Sequence, residues 1–592
     1  MKKSLPFCFV LFILVSCKQE TENKSDLITE KFNTLLYNFS KNSYELYPEK
    51  ATKAGIDGYN DQYPNSLSNE FNNKVKVYYT KYKNELFAIP DSLLNDTEKM
   101  SKSVLLWECD INLEALNFQK KIMPIDQMWS ANLDFNKWAS GTTSQPFNTV
   151  KDYNNWLKRV DAYLVWLASA KANMKKGIQI GYVLPKSLIE KVIPQFEVLA
   201  IGEVENNLYY SPVNLFPDSF SQEERDKLTK AYKDMVANKI IPAHAEMVAF
   251  LKDEYLPAGV ENFGIAYSTP LGDRYYSHQI KKYTTTNMTA DEIHQLGLNE
   301  VARIRSEMNA IKEKVEFKGD LNAFFDYVRT NKDLMPFTDR SQVIAFYDSI
   351  HNEMKPQLDK LLGKQPKTPF EVRRTEPFRE KSAAANYSSG SLDGTRPGIF
   401  YTPIPDVETY NVFDKEDLFL HEAIPGHHFQ ISLAQENEEL PVFRKTLLYS
   451  AYTEGWALYT ESMGEELGLY KDPYQYFGML SSEIHRAIRL VVDTGLHTKG
   501  WTREQAIQYS LENEAKEEAS VISEIERYMA NPGQALSYKI GQLKLIELRE
   551  RAIEALGDKF DIREFHNQVL ETGCIPLQLL ENKIDNWIAV NK

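Results

Sequence analysis

The stretch Phe413-Asp414-Lys415-Glu416-Asp417-Leu418-Phe419-Leu420-His421-Glu422-Ala423-Ile424-Pro425-Gly426-His427-His428 organises the rest of the chain. Lys415, Glu416 and Asp417, followed by apolar Leu418-Phe419-Leu420, predict a helix that enters the interior and delivers His421 there. Three of the chain's ten histidines lie within eight residues, and a carboxylate directly follows the first. Imidazoles hold a zinc ion, and a neighbouring glutamate takes a proton from the attacking water, so this mixture predicts a catalytic zinc site.

The spacing departs from the His-Glu-x-x-His helix, where two histidines four apart share one face. Here the fourth residue after His421 is Pro425. On an ideal helix His427 falls on the wrong side, and His428 lies roughly 10 Å along the axis at about 1.5 Å per residue. Zinc bonds of about 2.0–2.1 Å do not reach that far, so a straight helix is excluded. Pro425-Gly426 supplies the break, because proline disrupts the turn before it and glycine tolerates the bulged backbone. A bulge absorbing two residues brings His427 into place, and one absorbing three brings His428. The first is favoured.

A catalytic zinc keeps three protein ligands and one open position. Glu454, in the apolar stretch Tyr452-Thr453-Glu454-Gly455-Trp456-Ala457-Leu458-Tyr459, is the candidate third ligand, since an unpaired carboxylate there is costly to bury. Glu461 is its rival on the same face. The expected set is one zinc ion per chain on His421, His427 and Glu454, with Glu422 as general base. Ser482, Arg486, Arg489, Asp493 and His497 recur at helical spacing. An Asp493–His497 pair is expected to support the site or to hold His497 toward a developing oxyanion.

His-Glu-Ala-Ile-Pro-Gly-His-His-Phe-Gln resembles the signature of the bacterial domain-of-unknown-function family 885, whose members are regarded as zinc metallopeptidases. More remotely it is similar to the thimet-oligopeptidase, angiotensin-converting-enzyme and Taq-type carboxypeptidase families, which keep an uninterrupted His-Glu-x-x-His. Aligning the Gly-His of the thimet-type motif onto Gly426-His427 again selects His427. The remote families use a tyrosine from a late helix on the oxyanion, which implies that role for Tyr538, after the break at Asn531-Pro532-Gly533. The stretch around Tyr538 and Gly573-Cys574-Ile575-Pro576-Leu577 also resemble family 885.

Elsewhere the periodicity is overwhelmingly helical, with patterns at about 25–49, 67–88, 96–118, 148–176, 185–208 and 289–315. Ser221 with Glu224 three residues on predicts a capping box. The exception lies at 367–404, where 370–374 and 398–402 predict strands with a polar loop between. One role for 398–402 is an edge strand that pairs with an extended substrate; the other is packing on the metal helix. Arg396 is placed to meet a substrate carboxylate or a local aspartate. The expected fold is mainly α, a large two-lobed helical unit with a deep cleft and a small β-sheet next to the metal helix.

A net charge of −14 over 592 residues argues against a nucleic-acid partner. Lys2-Lys3 followed by apolar Leu5–Val15 predicts a secretory signal too short to span a bilayer. Leu14-Val15-Ser16-Cys17 resembles a lipobox, so 1–16 is expected to be a lipoprotein signal peptide, 17–26 a polar tether and 27–592 one helical domain. A lipidated Cys17 would be the only membrane contact, at the bacterial envelope, and few cysteines remain for a disulfide framework. The expected activity is hydrolysis of short peptides. The alternatives are a metal-dependent hydrolase of a non-peptide amide or ester, and an envelope peptide-binding protein with a degenerate site.

Overall fold

The computed structural model describes residues 9–377, 379–381, 383–391 and 394–592, with side chains described from residue 26 onward. The signal peptide, Cys17 and nearly all of the tether therefore lie outside the described side chains. Among the described residues no helix is long and apolar enough to cross a membrane.

The architecture is mainly helical with one small sheet. The amphipathic patterns become Asn69–Phe87, Asp96–Ala115, Val150–Ile180, Lys186–Ala200 and Ala290–Lys314. Each buries its apolar stripe against its neighbours, as in Val150–Ile180, where Tyr153, Trp156, Val160, Tyr163, Trp166 and Leu167 are all buried. The capping boxes at Ser221/Glu224 and Thr289/Glu292 are both present, so the first free amides of those helices are satisfied by side chains. Pro212 sits inside a short 3-10 helix, Leu208–Leu215. Cys109 and Cys574 are free and buried.

The two expected strands form as β1 (Phe370–Arg374) and β3 (Gly398–Thr402); a third, β2 (Asn386–Ser388), is added between them in sequence. The sheet order is β1-β3-β2, with β3 parallel to β1 and antiparallel to β2. This overturns the edge-strand reading of 398–402: β3 is the central strand, and its backbone pairs on both sides. The packing role stands. Phe370 of β1 meets Phe419 edge-on at 6.1 Å, and Phe400 of β3 meets Tyr347 at 5.1 Å. Tyr347 in turn stacks on Phe419, so the sheet buttresses the helix that carries His421.

Candidate metal centre

The His421 helix runs Lys415–Glu422 and stops. Ala423 (φ −110°, ψ −104°) and Gly426 (φ −71°, ψ −124°) leave helical geometry, the Ile424–Pro425 peptide is cis, and a second helix begins at His427. The interruption is thus a full break between two helices, where the spacing predicted a bulge within one. Gly426 is required there because any Cβ would collide with the carbonyl oxygens of Leu420 and His421. The helix Ser450–Glu461 clamps the break from the other side. Trp456 Nε1 donates to Pro425 O at 2.8 Å and Thr460 Oγ1 to Leu420 O at 2.9 Å. The same helix carries Glu454, so one element fixes the turn and supplies the carboxylate.

The break brings His421, His427 and Glu454 together. One ligand atom from each lies within 4.8 Å of the others. His421 Nε2 is 3.4 Å and His427 Nε2 3.6 Å from Glu454 Oε2, and the two rings stand at 85°. Charge-assisted hydrogen bonds are shorter, about 2.7–2.9 Å. Two ligands on a tetrahedral ion with bonds of about 2.0–2.1 Å lie roughly 3.4 Å apart. The spacing therefore fits donors around a common cation better than donors bonded to each other. Two nitrogens and one oxygen are also the donor set that zinc takes. The side chain of His421 is 7% exposed, that of His427 12% and that of Glu454 23%, so the group opens to solvent on the Glu454 side.

Glu461, weighed from the sequence as a rival ligand, has a different place. Its Oε1 lies 2.7 Å from His421 Nδ1, a true hydrogen bond that fixes the ring and turns Nε2 toward Glu454. Burial alone would push His421 down, but the hydrogen bonds to Glu454 and Glu461 outweigh it and hold the imidazole up at about 10. Burial would likewise raise Glu454, yet His421 and His427 hold it well below the usual carboxylate range. Both shifts describe a carboxylate-rich pocket that draws positive charge, here a proton and in the presence of metal a cation. One turn before His421, buried Asp417 is pushed far up, first by burial and then by the charge of Glu461. Sequence reasoning passed over it because it stands among the charged residues at the start of the helix.

The remaining candidates divide. Glu422 is half-buried next to His421, and among the described residues no hydrogen bond or ion pair ties its carboxylate. His428 turns away from the group: its Nδ1 meets Tyr387 Oη at 3.0 Å and its ring packs 5.1 Å from Phe370. Tyr538 opens the first turn of the helix Ser537–Leu556. The neighbouring Ser537 Oγ is 2.6 Å from Ser450 Oγ on the Glu454 helix, and the two helices touch backbone to backbone at Gly455 and Gly541. Arg396 is exposed, with Nη1 3.4 Å from Ser388 Oγ.

His497 does not join the site. It is completely buried; the Ile265 amide donates to its Nδ1 at 3.3 Å and its Nε2 donates to Tyr528 O at 3.0 Å. Asp493 is spent on Tyr276 Oη (2.6 Å) and the Gly533 amide (3.0 Å), so the expected Asp493–His497 pair does not form. The physical reason is burial. The helix Pro473–Thr498 is enclosed on nearly every side in this stretch, and each polar group takes the nearest backbone or hydroxyl partner.

The family described as "Bacterial protein of unknown function (DUF885)" matches residues 48–584, so the chain belongs to that family. No protein with a curated description matches it. Among solved structures, the chain is similar to a protein from Colwellia psychrerythraea described as a "putative lipoprotein", at 28% identity and a TM-score of 0.83, over 95% of this chain and 99% of that one. A "putative lipoprotein of unknown function" from Shewanella oneidensis shares the fold at 20% identity and a TM-score of 0.74, over 93% and 99%.

Proposed function

We propose that this DUF885 member is a zinc-dependent peptidase that hydrolyses short peptides, held at the bacterial envelope by a lipidated Cys17. The observation that carries the reading is the convergence of His421 Nε2, His427 Nε2 and Glu454 Oε2 at ligand spacing, with Glu461 bonded to the far side of His421. His421, His427 and Glu454 would hold the ion, which when bound would polarise a substrate carbonyl and make water a stronger acid.

The chain's own residues then have separate tasks. Glu422, whose carboxylate has no other partner among the described residues, accepts the proton of the attacking water and returns it to the departing amine. Glu461 keeps His421 in one tautomer and one orientation. Trp456 and Thr460 hold the break closed, so both imidazoles face Glu454. Tyr538, on the helix that packs against the Glu454 helix, is the residue we assign to donate to the oxygen that gains charge. The expected two-lobed cleft would admit short peptides and exclude folded chains. The described relative from Colwellia psychrerythraea supports the lipid anchor.

The test is metal analysis of the purified chain, followed by hydrolysis of a short-peptide library with and without chelator. One zinc per chain with chelator-sensitive cleavage is the expected result. A chain that takes up no metal, or a fully loaded chain that cleaves no peptide, rejects the reading.

A further inference from the structure

The helix Pro473–Thr498 lies alongside the His421 helix in a definable register. Gly478 abuts Phe413 and Asp414 so closely that a Cβ would collide with the Phe413 carbonyl. One turn later Ser482 stands against Asp417, where its hydroxyl works against the rise that burial imposes on that carboxyl. Both helices advance in the same direction, so one more turn of each brings Arg486 to the level of His421 and Glu422. Arg486 is half-buried, donates from Nη1 to the Ser482 carbonyl at 3.1 Å, and has no carboxylate partner among the described residues. Its Nε is buried without a partner.

Arg489, three residues on, is 6% exposed. Its Nε donates to Tyr528 Oη at 3.0 Å and its Nη2 to Glu524 at 2.9 Å, while Nη1 is buried with no partner. Its guanidinium lies 4.6 Å from the ring of Tyr538. That tyrosine comes from the helix whose Gly541 touches Gly455, next to Glu454. The arginines and the metal candidates are therefore joined at two points, through Asp417 on one side and Tyr538 on the other.

Arg159, Arg444 and Arg527 also keep a buried guanidinium N–H without a partner among the described residues, but Arg486 and Arg489 are carried by the helix that runs beside His421. A buried donor left unpaired is costly, and a guanidinium fork matches a carboxylate bidentately. We infer that Arg486 and Arg489 receive the free α-carboxylate of the substrate, so that the protein cuts peptides from their C-terminal end. The inference rests on the peptidase reading above and adds the substrate class to it. Packed helices stand about 8–10 Å apart and an extended residue spans about 3.3–3.6 Å. The carboxylate thus lies about two or three residues beyond the bond that is cut.

The test compares N-acetylated peptides as free acids and as C-terminal amides, using the zinc-loaded full chain. Free acids are expected to be cleaved with kcat/KM about 100-fold above the amides. Arg489 is wired to Glu524 and Tyr528, so Arg486, which has no such pair, is the better variant. Arg486→Gln should shrink the acid-to-amide ratio to within about threefold. In a Glu422→Gln background it should weaken calorimetric binding of the free acid about tenfold. Equal cleavage of acid and amide by the native chain overturns the inference and leaves the peptidase reading intact. A variant slowed equally on both substrates also overturns it, since Arg486 would then act at the reacting carbonyl. Failure of the loaded chain to cleave either peptide removes the peptidase reading and this inference with it.

Discussion

Two buried histidine–glutamate clusters in this chain use the same ingredients and reach opposite results. At His421, two glutamates flank one imidazole, Glu461 at 2.7 Å and Glu454 at 3.4 Å, and no lysine or arginine pairs with either among the described residues. At His485, Glu514 lies at 2.6 Å and Glu524 at 3.5 Å, but Arg489 and Arg527 also bind Glu524. The first cluster keeps excess negative charge and holds its histidine up at about 10 against the pull of burial. In the second, burial wins and His485 is pushed down. The cation in the neighbourhood, not the histidine–carboxylate contact, decides whether a buried cluster recruits a positive ion or neutralises itself.

The contrast breaks most sharply if Glu454 is removed. Glu454→Ala is expected to abolish metal uptake and with it all turnover, whereas Glu514→Gln should leave metal content at one per chain. Elemental analysis of the two variants side by side checks both. Next in size, Glu422→Gln should keep the metal and lower kcat by about 10³-fold, within the range for loss of a general base. Stopped-time peptide assays on the metal-replete variant measure it, and full activity would remove Glu422 from the mechanism.

A third expectation concerns acid. Burial pushes His497 down to about 4, while the unfolded residue titrates near 6.5. Between those values the unfolded chain binds the extra proton, so stability falls as pH drops through the window and is unaffected above it. The loss approaches about 3 kcal/mol at pH 4, and His244 and His566, each also pushed to about 4 by burial, add to it. Denaturant unfolding at pH 7 and pH 4.5 reads the slope; a flat profile contradicts the burial argument. Smaller still, Glu461→Gln should weaken metal binding about 10–100-fold without abolishing it, the usual cost of losing an orienting partner. A competition titration against a chelator of known affinity would show it.

The meeting of His421 with His427 was legible because it depends on local spacing. The proline-glycine break forced a choice between His427 and His428, and steric exclusion at Gly426 explains why the chain turns at that place. The strands at 370–374 and 398–402 were legible too, from β-branched and aromatic alternation. The short β2 was not, because three residues, Asn386-Tyr387-Ser388, carry no period, and its pairing is what moves β3 from edge to centre. Glu461 and His497 show the other limit. Glu461 lies on the expected helix face, but whether it meets the metal or the back of His421 depends on the tilt between two helices. His497 reads as part of a charged stripe, yet its partners, Ile265 and Tyr528, come from segments far away in sequence.

At Gly455 and Gly541 two main chains meet with no side chain between them. The helices that carry Glu454 and Tyr538 are therefore held at backbone thickness at this crossing, a gauge that no neighbouring rotamer can alter. Mutations that reshape the surrounding walls can change which residues a substrate presents while this gauge stays the same. Any side chain larger than hydrogen at either glycine would reset it for every substrate at once.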